Sequence, residues 1–361
     1  MEKIIQNIDI QTISLPGDIS GPLEKLFAEA ERINPQFGLA WLNNLSSHAL
    51  EASDEAFIIV ASTTDGEIVA LPLVRKRSGL ITALSNFYTS SYQPLVSSTN
   101  SLPLFRAIFS HLAREERAAQ LQLMPLNADS DTASIMSKAQ REAGWSAVHG
   151  YFCFGNWVHD VNGQDYNEYI ASRPSRLRNT IRRRSQKFIA GAAGELTLVT
   201  DATGLDEAIN QFNIVYGNSW KLNEPYPDFI PSLIRLAAAK GWLRLGVATY
   251  KGIPVASQIW LVNNGTAYIY KLAYDENYKN QSPGTVLTAF MFEHVMSSDD
   301  VKKIDYLSGD DVYKKDWMST RHERHGIAAY NPRSMRGFWQ LFVHRFKQLL
   351  KRKSAAPLEK D

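Results

Sequence analysis

The sequence is short of several things, and each shortage narrows what the chain can be. Cys153 is its one cysteine, so no disulfide can close within the chain, and a reducing compartment such as the cytoplasm is the expected setting. There is no excess of charge: 39 Lys and Arg against 37 Asp and Glu leave a net +2, which excludes a surface devoted wholly to nucleic acid. No window approaches the ~18 consecutive apolar residues that span a bilayer. The start of the chain sets Ile4, Ile5, Ile8 and Ile10 among acidic and polar positions, without the basic opening and apolar core of an export signal. Metal-ligand spacing is also missing: His322 and His325 flank Glu323, but no further Cys or His nearby completes a set, so no metal is expected and these read as surface residues. Cys153 lies in an aromatic stretch, Tyr151 to Phe154, and reads as a buried, inert thiol.

What is present is the composition of a globular protein. With 361 residues, 44% hydrophobic and 21% charged, the chain can build about two domains with their own cores. Ala56 to Ser62 predicts a strand, Thr64-Asp65-Gly66 a tight turn and Ile68 to Val74 the returning strand. Helical periodicity follows over Leu102 to Ala119 and Ala133 to Ala143, with short apolar runs at Leu121 to Met124 and Trp145 to Val148. Later, Trp242 to Tyr250, Ile253 to Val262 and Thr266 to Ala273 predict a meander that turns at Lys251-Gly252 and Asn264-Gly265. A helix from Pro283 to about Met296, a strand over Ile304 to Leu307 and a short helix near Val312 to Ser319 complete the order β-β-β-α-β-α.

The two hairpins resemble each other. Val60-Ala61 and Val69-Ala70 flank Asp65-Gly66 much as Val247-Ala248 and Val255-Ala256 flank Lys251-Gly252. The expectation is an α/β (α+β) protein of two related halves, each a mixed central sheet flanked by helices, with a ligand cleft between them. The expected boundaries are 1–160, 161–332 and a basic amphipathic tail over 333–361.

Two segments carry chemistry. The first runs from Lys271 through a polar loop to Ser282-Pro283-Gly284-Thr285 and opens a helix, whose free N–H groups and positive dipole end suit a phosphate; the plain alternative is an ordinary helix start. The second, Asp305 to Trp317, leaves a strand through Gly309 and brings Asp310, Asp311, Tyr313 and Lys314 to its C-terminal end. Helix capping accounts for the two aspartates but not for Tyr313-Lys314.

Together with Leu177-Arg-Asn-Thr-Ile-Arg-Arg-Arg184 and Ser219-Trp220-Lys221, these segments resemble the acyltransferases of the cellulose-biosynthesis CelD type, bacterial members of the GNAT superfamily related to Fem-type peptidyltransferases. The resemblance covers roughly residues 150–330; Gly309-Asp310-Asp311-Val312-Tyr313-Lys314 is its most specific element. It implies tandem GNAT-like halves, the first degenerate, and acyl-CoA as a co-substrate rather than a bound cofactor. It places the donor's pyrophosphate at Gln281 to Thr285, with Ser282 and Gly284 in contact, and the thioester carbonyl at the backbone around Leu272. Tyr313 would protonate the departing thiolate, and Asp310 would accept a proton or orient the amine. Trp220, Lys221 and Lys314 would bind the acceptor. One glycine stands in the loop where ordinary GNAT loops hold several, so another thioester or an aminoacyl donor stays open.

Two basic segments remain. Arg173 to Lys187 holds seven basic residues and no acidic one, with Leu177, Ile181 and Phe188 at helical spacing. Its expected partners are the donor's phosphates, an anionic lipid surface or, last, RNA, against a merely solvated face. In the tail, Phe338, Leu341, Phe342, Phe346, Leu349 and Leu350 recur at helical spacing, flanked by Arg336, Arg345, Lys347, Lys351, Arg352 and Lys353. Residues 336–353 then either meet an anionic membrane, as a peripheral protein of the inner membrane would, or dock on the protein's own body. The functional expectation is N-acyl transfer from acyl-CoA, acetyl or longer, to an amine of an envelope, polysaccharide or lipid precursor. Ceramide-forming acylation of a sphingoid base, a Fem-like transfer from aminoacyl-tRNA and a non-catalytic membrane adaptor are the alternatives.

Overall fold

A computed structural model describes residues 7–97, 100–189 and 193–354, with side chains through residue 346. In chain order the elements are β1 (Ile8–Ser14), α1 (Pro22–Ile33), α2 (Leu39–His48), β2 (Glu55–Thr63), β3 (Ile68–Arg75), β4 (Leu80–Ala83), β5 (Leu95–Val96), α3 (Leu102–Arg114), β6 (Gln120–Asn127), α4 (Asp131–Glu142) and β7 (Ser146–Asp160). There follow α5 (Tyr166–Ser172), α6 (Ser175–Ile189), β8 (Gly194–Val199), α7 (Leu205–Gly217), α8 (Phe229–Ala239), β9 (Leu243–Tyr250), β10 (Ile253–Asn263), β11 (Thr266–Tyr274), α9 (Pro283–Ser297), β12 (Lys303–Ser308), α10 (Lys314–Trp317), β13 (Thr320–Tyr330) and α11 (Met335–Ser354). The protein is of the α/β class expected.

The chain divides into two compact units, the first made of described residues within 1–31, 36–153 and 323–361, the second of 32–35 and 154–322. In the first, the strand order is β1-β2-β3-β4-β6-β13, with β5 beside β3. All its pairings are antiparallel except β4 with β6. In the second, the order is β8-β9-β10-β11-β12-β7, again antiparallel except for β11 with β12. The units therefore share one topology, and each is closed by a strand that the other stretch of chain supplies. This differs from the expected boundaries at 160 and 332, because residues 323–330 of β13 hydrogen-bond to β6 and return to the first unit.

Local sequence explains the main elements. The Asn264-Gly265 turn places both residues at positive φ, 45° and 74°, as a two-residue hairpin turn that follows the strand twist requires. α3 lays Phe105, Ile108, Phe109 and Leu112 on Ile59, Leu71 and Leu73, all fully buried; each such side chain contributes ~1.5–3 kcal/mol of burial. α9 is apolar nearly all round because both its sides are covered: Val286, Leu287 and Phe292 are buried with Trp260, Ile269 and Trp317. The Phe292 ring stacks between Tyr169 and Trp317 at 4.9 and 5.0 Å.

Some expectations shift. α3 ends at Arg114 rather than Ala119, because Arg117 takes a positive φ of 48° and the Ala118 N–H turns back to the Leu112 carbonyl. The short helix expected over Val312 to Ser319 is a single turn, α10, followed at once by β13. Cys153 is half-buried, its thiol pushed up by desolvation. Residues 333–354 are not a separate tail: α11 packs on the first unit through Gly337 and Leu341, while Phe338, Phe342 and Phe346 stay exposed. Lys347, Leu349, Leu350, Lys351, Arg352 and Lys353 lie outside the residues whose side chains are described.

Candidate active site

The site begins with a gap in the second unit's sheet. β11 and β12 are paired in parallel only at Thr266–Tyr268 with Lys303–Asp305, and beyond that β11 continues to Tyr274 away from β12. Two irregularities turn the strands apart. On β11 the register against β10 slips between Ile259↔Lys271 and Trp260↔Ile269, which leaves Tyr270 as an extra residue. On β12 the register against β7 slips between Asp305 and Ser308, where Leu307 takes a positive φ of 55°. A buried pair holds that bend: the Asn156 side-chain amide donates to Asp305 Oδ1 at 2.6 Å and to the Leu307 carbonyl at 3.0 Å, and the Leu307 N–H donates to Asp305 Oδ1 at 2.8 Å.

The gap opens into a cavity of about 690 Å³ lined wholly by residues of the second unit. The cleft expected between two halves is thus not where this cavity lies. Leu272, Ala273 and Tyr274 form one wall, and Gly284, Thr285 and Thr288 of α9 another. Arg176, Leu177 and Thr180 of α6 face it, as do Trp220 and the segment Asp311 to Tyr313. Gln258 forms its floor, buried and fixed: its amide nitrogen donates to Thr288 Oγ1 at 2.7 Å and the Gly284 carbonyl at 3.2 Å, and its oxygen accepts from Trp260 Nε1 at 2.9 Å. Gly284 matters for space, since a Cβ there would stand 3.3 Å from the Tyr274 ring.

Of the expected donor-site residues, Leu272, Gly284 and Thr285 line this cavity, whereas Gln281 and Ser282 stand in the turn just before α9 and do not. Ser282 is left-handed, with φ 55°, and its side chain makes no capping bond to α9. Arg184 donates instead to the carbonyl of Asn280, so α6 braces this turn. Among the acceptor residues, Trp220 is 48% exposed and tilts against Tyr274 with centroids 4.7 Å apart. The Lys221 Nζ lies 5.8 Å from the Tyr216 and Trp220 rings. Burial first, then the charge of Lys271, lowers the Lys221 ammonium to about 8. Lys271 forms an ion pair with Glu224, both only 11% exposed.

Two more of the expected site residues lie off the cavity wall. Lys314, expected to bind the acceptor, does not line the cavity: it is 4% exposed, donates to the carbonyls of Ser308 and Tyr306, and fastens the loop after β12. Desolvation is what lowers its pKa. Asp310 does not line the cavity; both its carboxylate oxygens accept from Arg321 at 2.7 Å, and this bond holds its pKa below the ordinary carboxylate value. An anchored, readily ionised carboxylate is a poor proton acceptor. Its neighbour Asp311 faces the cavity instead.

Tyr313 lies where expected, on the cavity wall, with its ring edge-on to Tyr306 at 5.8 Å and 76°. Desolvation first, then Asp311, pushes its phenol up to about 12. At neutral pH it therefore carries its proton and can donate it. Sequence reasoning missed Asp311, Gln258, Thr288 and the direct reach of Arg176. A signal for Gln258 was present, since Ser257-Gln258 interrupts the apolar run of β10.

The site thus combines a sheet splayed between two parallel strands, the start of α9 beside the splay and a protonated Tyr313 on the cavity wall. Residues 175–315 match the family model described as an acetyltransferase (GNAT) domain. The matched stretch lies within the second unit and includes most of the residues that line the cavity, so the protein is classed as an acyltransferase. No curated protein matches the sequence. Among solved structures, FemX is similar with a TM-score of 0.60 at 11% identity, covering 88% of this chain and 96% of its own. A tandem GNAT protein from the clavulanic acid biosynthesis pathway has a TM-score of 0.52 at 10% identity, covering 89% and 98%. The C-terminal domain of a putative lysylphosphatidylglycerol synthetase from Agrobacterium fabrum has a TM-score of 0.50 at 11% identity, covering 75% and 82%. At these identities the likeness is one of fold.

Proposed function

We propose that the second unit transfers an acyl group, acetyl or longer, from acyl-CoA to a primary amine of an envelope, polysaccharide or lipid precursor, as a CelD-type enzyme would. The observation that carries this reading is the open splay of β11 from β12, with α9 starting on one side and Tyr313 standing on the other. Acyl-CoA supplies the acyl group as an activated thioester. First-turn N–H groups at Gly284 and Thr285 lack intrahelical partners by geometry, and with the helix dipole and Arg176 they suit the donor's pyrophosphate. Backbone N–H groups along β11 near Leu272 serve the thioester carbonyl oxygen.

The proton steps balance between the cavity wall and Lys221 beside it. The acceptor nitrogen attacks the carbonyl carbon, and the C–S bond breaks. Lys221 does not itself line the cavity but follows Trp220 and lies within the field of Asp311, which both do; neutral above about 8, it takes the proton from the amine through solvent, and Tyr313 gives its own to the departing sulfur. Asp311 faces the place where a cationic acceptor enters.

Exposed arginines at 178, 182 and 183 on α6 keep a second donor in the test, an aminoacyl-tRNA. Thermal melts with acetyl-CoA, palmitoyl-CoA and tRNA separate the two. A donor at a hundred times its dissociation constant stabilises by ~2.7 kcal/mol. Stabilisation by a CoA species supports the reading; stabilisation by tRNA alone, lost steeply with salt, would replace it with the Fem-like one.

A further inference from the structure

α11 is held to the first unit along one edge and is conspicuously apolar on the other. At Gly337 a Cβ would stand 2.3 Å from the Asn331 carbonyl oxygen and 2.5 Å from that of Ala119, so the helix lies hard against the body there. Leu341 is buried, and the His344 ring stacks on His149 at 4.8 Å while hydrogen-bonding with the Tyr330 hydroxyl at 3.2 Å. On the outward side Phe338, Trp339, Phe342 and Phe346 are 59%, 64%, 54% and 53% exposed, and Met335 is 93% exposed. Their rings run in a file, Trp339 stacked on Phe342 at 5.7 Å and Phe342 on Phe346 at 6.4 Å.

A surface helix of a globular protein turns such a stripe inward. Here the inward contact is already made by Gly337, Leu341 and His344, and the stripe is left over. Charge indicates what covers it. From Arg333 to Lys353 the sequence holds seven Lys and Arg and no Asp or Glu, in a chain whose net charge is only +2. A protein partner would need an acidic rim around an apolar groove. An anionic lipid surface offers both features without shape matching: headgroups for the cations, and an acyl boundary for Trp and Phe.

We infer that the outward face of α11 is a membrane-docking surface that lays Phe338, Trp339, Phe342 and Phe346 into the interface of an anionic bilayer. This surface belongs to the first unit and is independent of the acyl transfer proposed for the second. Its test reads partition and not turnover: flotation of the full-length protein with phosphatidylcholine vesicles, with and without phosphatidylglycerol.

The expected result is binding that is at least about ten-fold tighter with phosphatidylglycerol and that weakens in high salt. A Phe338→Ser, Trp339→Ser, Phe342→Ser variant should lose it while melting as the parent does, because the three side chains are exposed. Quenching of tryptophan fluorescence by brominated lipid should fall in Trp339→Phe. Equal failure to bind both vesicle types would overturn the inference. So would undiminished binding by the triple variant. A concentration-dependent dimer abolished by the triple variant, without vesicle binding by the parent, would assign the face to a second copy of the chain instead.

Discussion

The same junction occurs in both units and is used in opposite ways. In each, the last strand of the meander meets a parallel neighbour for three residues, Leu80–Thr82 with Gln120–Gln122 and Thr266–Tyr268 with Lys303–Asp305. In the first unit the chain itself fills the space beyond. The Ser85 hydroxyl donates to the Met124 carbonyl at 2.6 Å, the Tyr92 N–H to the Pro125 carbonyl at 2.7 Å, and Tyr88 and Tyr92 are buried. Beside this segment lie cavities of about 110 and 10 Å³, against about 690 Å³ in the second unit. The topology makes the gap, and the connection that follows decides whether it becomes a site. Between β11 and α9 that connection is a 3-10 helix of 6 residues, Glu276–Gln281, capped by Asp275, which accepts from the Asn277 N–H at 2.9 Å, and none of its residues lines the cavity.

If the open gap is the active one, the group on its wall carries the largest effect. Tyr313→Phe should lower kcat by about 10²–10⁴-fold, the usual share of a general acid, while CoA still stabilises the protein in a melt. Unchanged turnover would remove Tyr313 from the chemistry. Next comes Lys221. Its neutral form is the one that accepts a proton, and its pKa lies near 8, so kcat/KM should rise with pH through about 8. The Tyr313 phenol, near 12, leaves the alkaline side flat over the accessible range. Lys221→Gln should abolish that rise and lower the plateau; a rise that survives the substitution would belong to the acceptor amine.

Much of this contrast could be read in the sequence, and the unread part has one physical cause. The meander, the apolar α9 and the narrow Leu177, Ile181, Phe188 stripe of α6 are local patterns, and all three are found as expected. Leu272, Gly284, Thr285, Trp220 and Tyr313 do come together at one cavity. Failures occur where a distant partner sets the outcome. Arg321, reached only through the turn back into β13, ties up Asp310 off the cavity wall. Backbone carbonyls at Tyr306 and Ser308 bury Lys314. The bulge at Tyr270 and the pairing of β13 with β6 leave no periodic trace, because register is a property of two strands.

The donor side offers a milder way to sharpen the comparison. Arg176 faces the cavity but is itself exposed, so a phosphate contact there is partly screened by water. Arg176→Ala should raise the KM for acyl-CoA about ten-fold, with kcat little changed. In the first unit, Ser85→Ala removes the hydroxyl that ties the plugging segment to Met124, which should cost about 1 kcal/mol of stability and leave CoA affinity untouched. Weaker CoA binding in Ser85→Ala would mean that the plugged gap also contributes to the donor site.

The smallest expected effect falls on the residue that sequence pattern ranked among the highest. Asp310 is ion-paired with Arg321 at the surface, with 42% and 33% of the two side chains exposed, and such pairs contribute under about 1 kcal/mol. Asp310→Asn should therefore shift the melting temperature slightly and keep kcat within about two-fold. Asp311→Asn, one residue on, should instead raise the KM for a cationic acceptor, because its carboxylate faces the cavity. The pair of variants, assayed side by side, separates the two aspartates by position alone. A kcat collapse in Asp310→Asn with a folded protein would show that the Arg321 clamp opens during turnover and that the first aspartate does reach the amine.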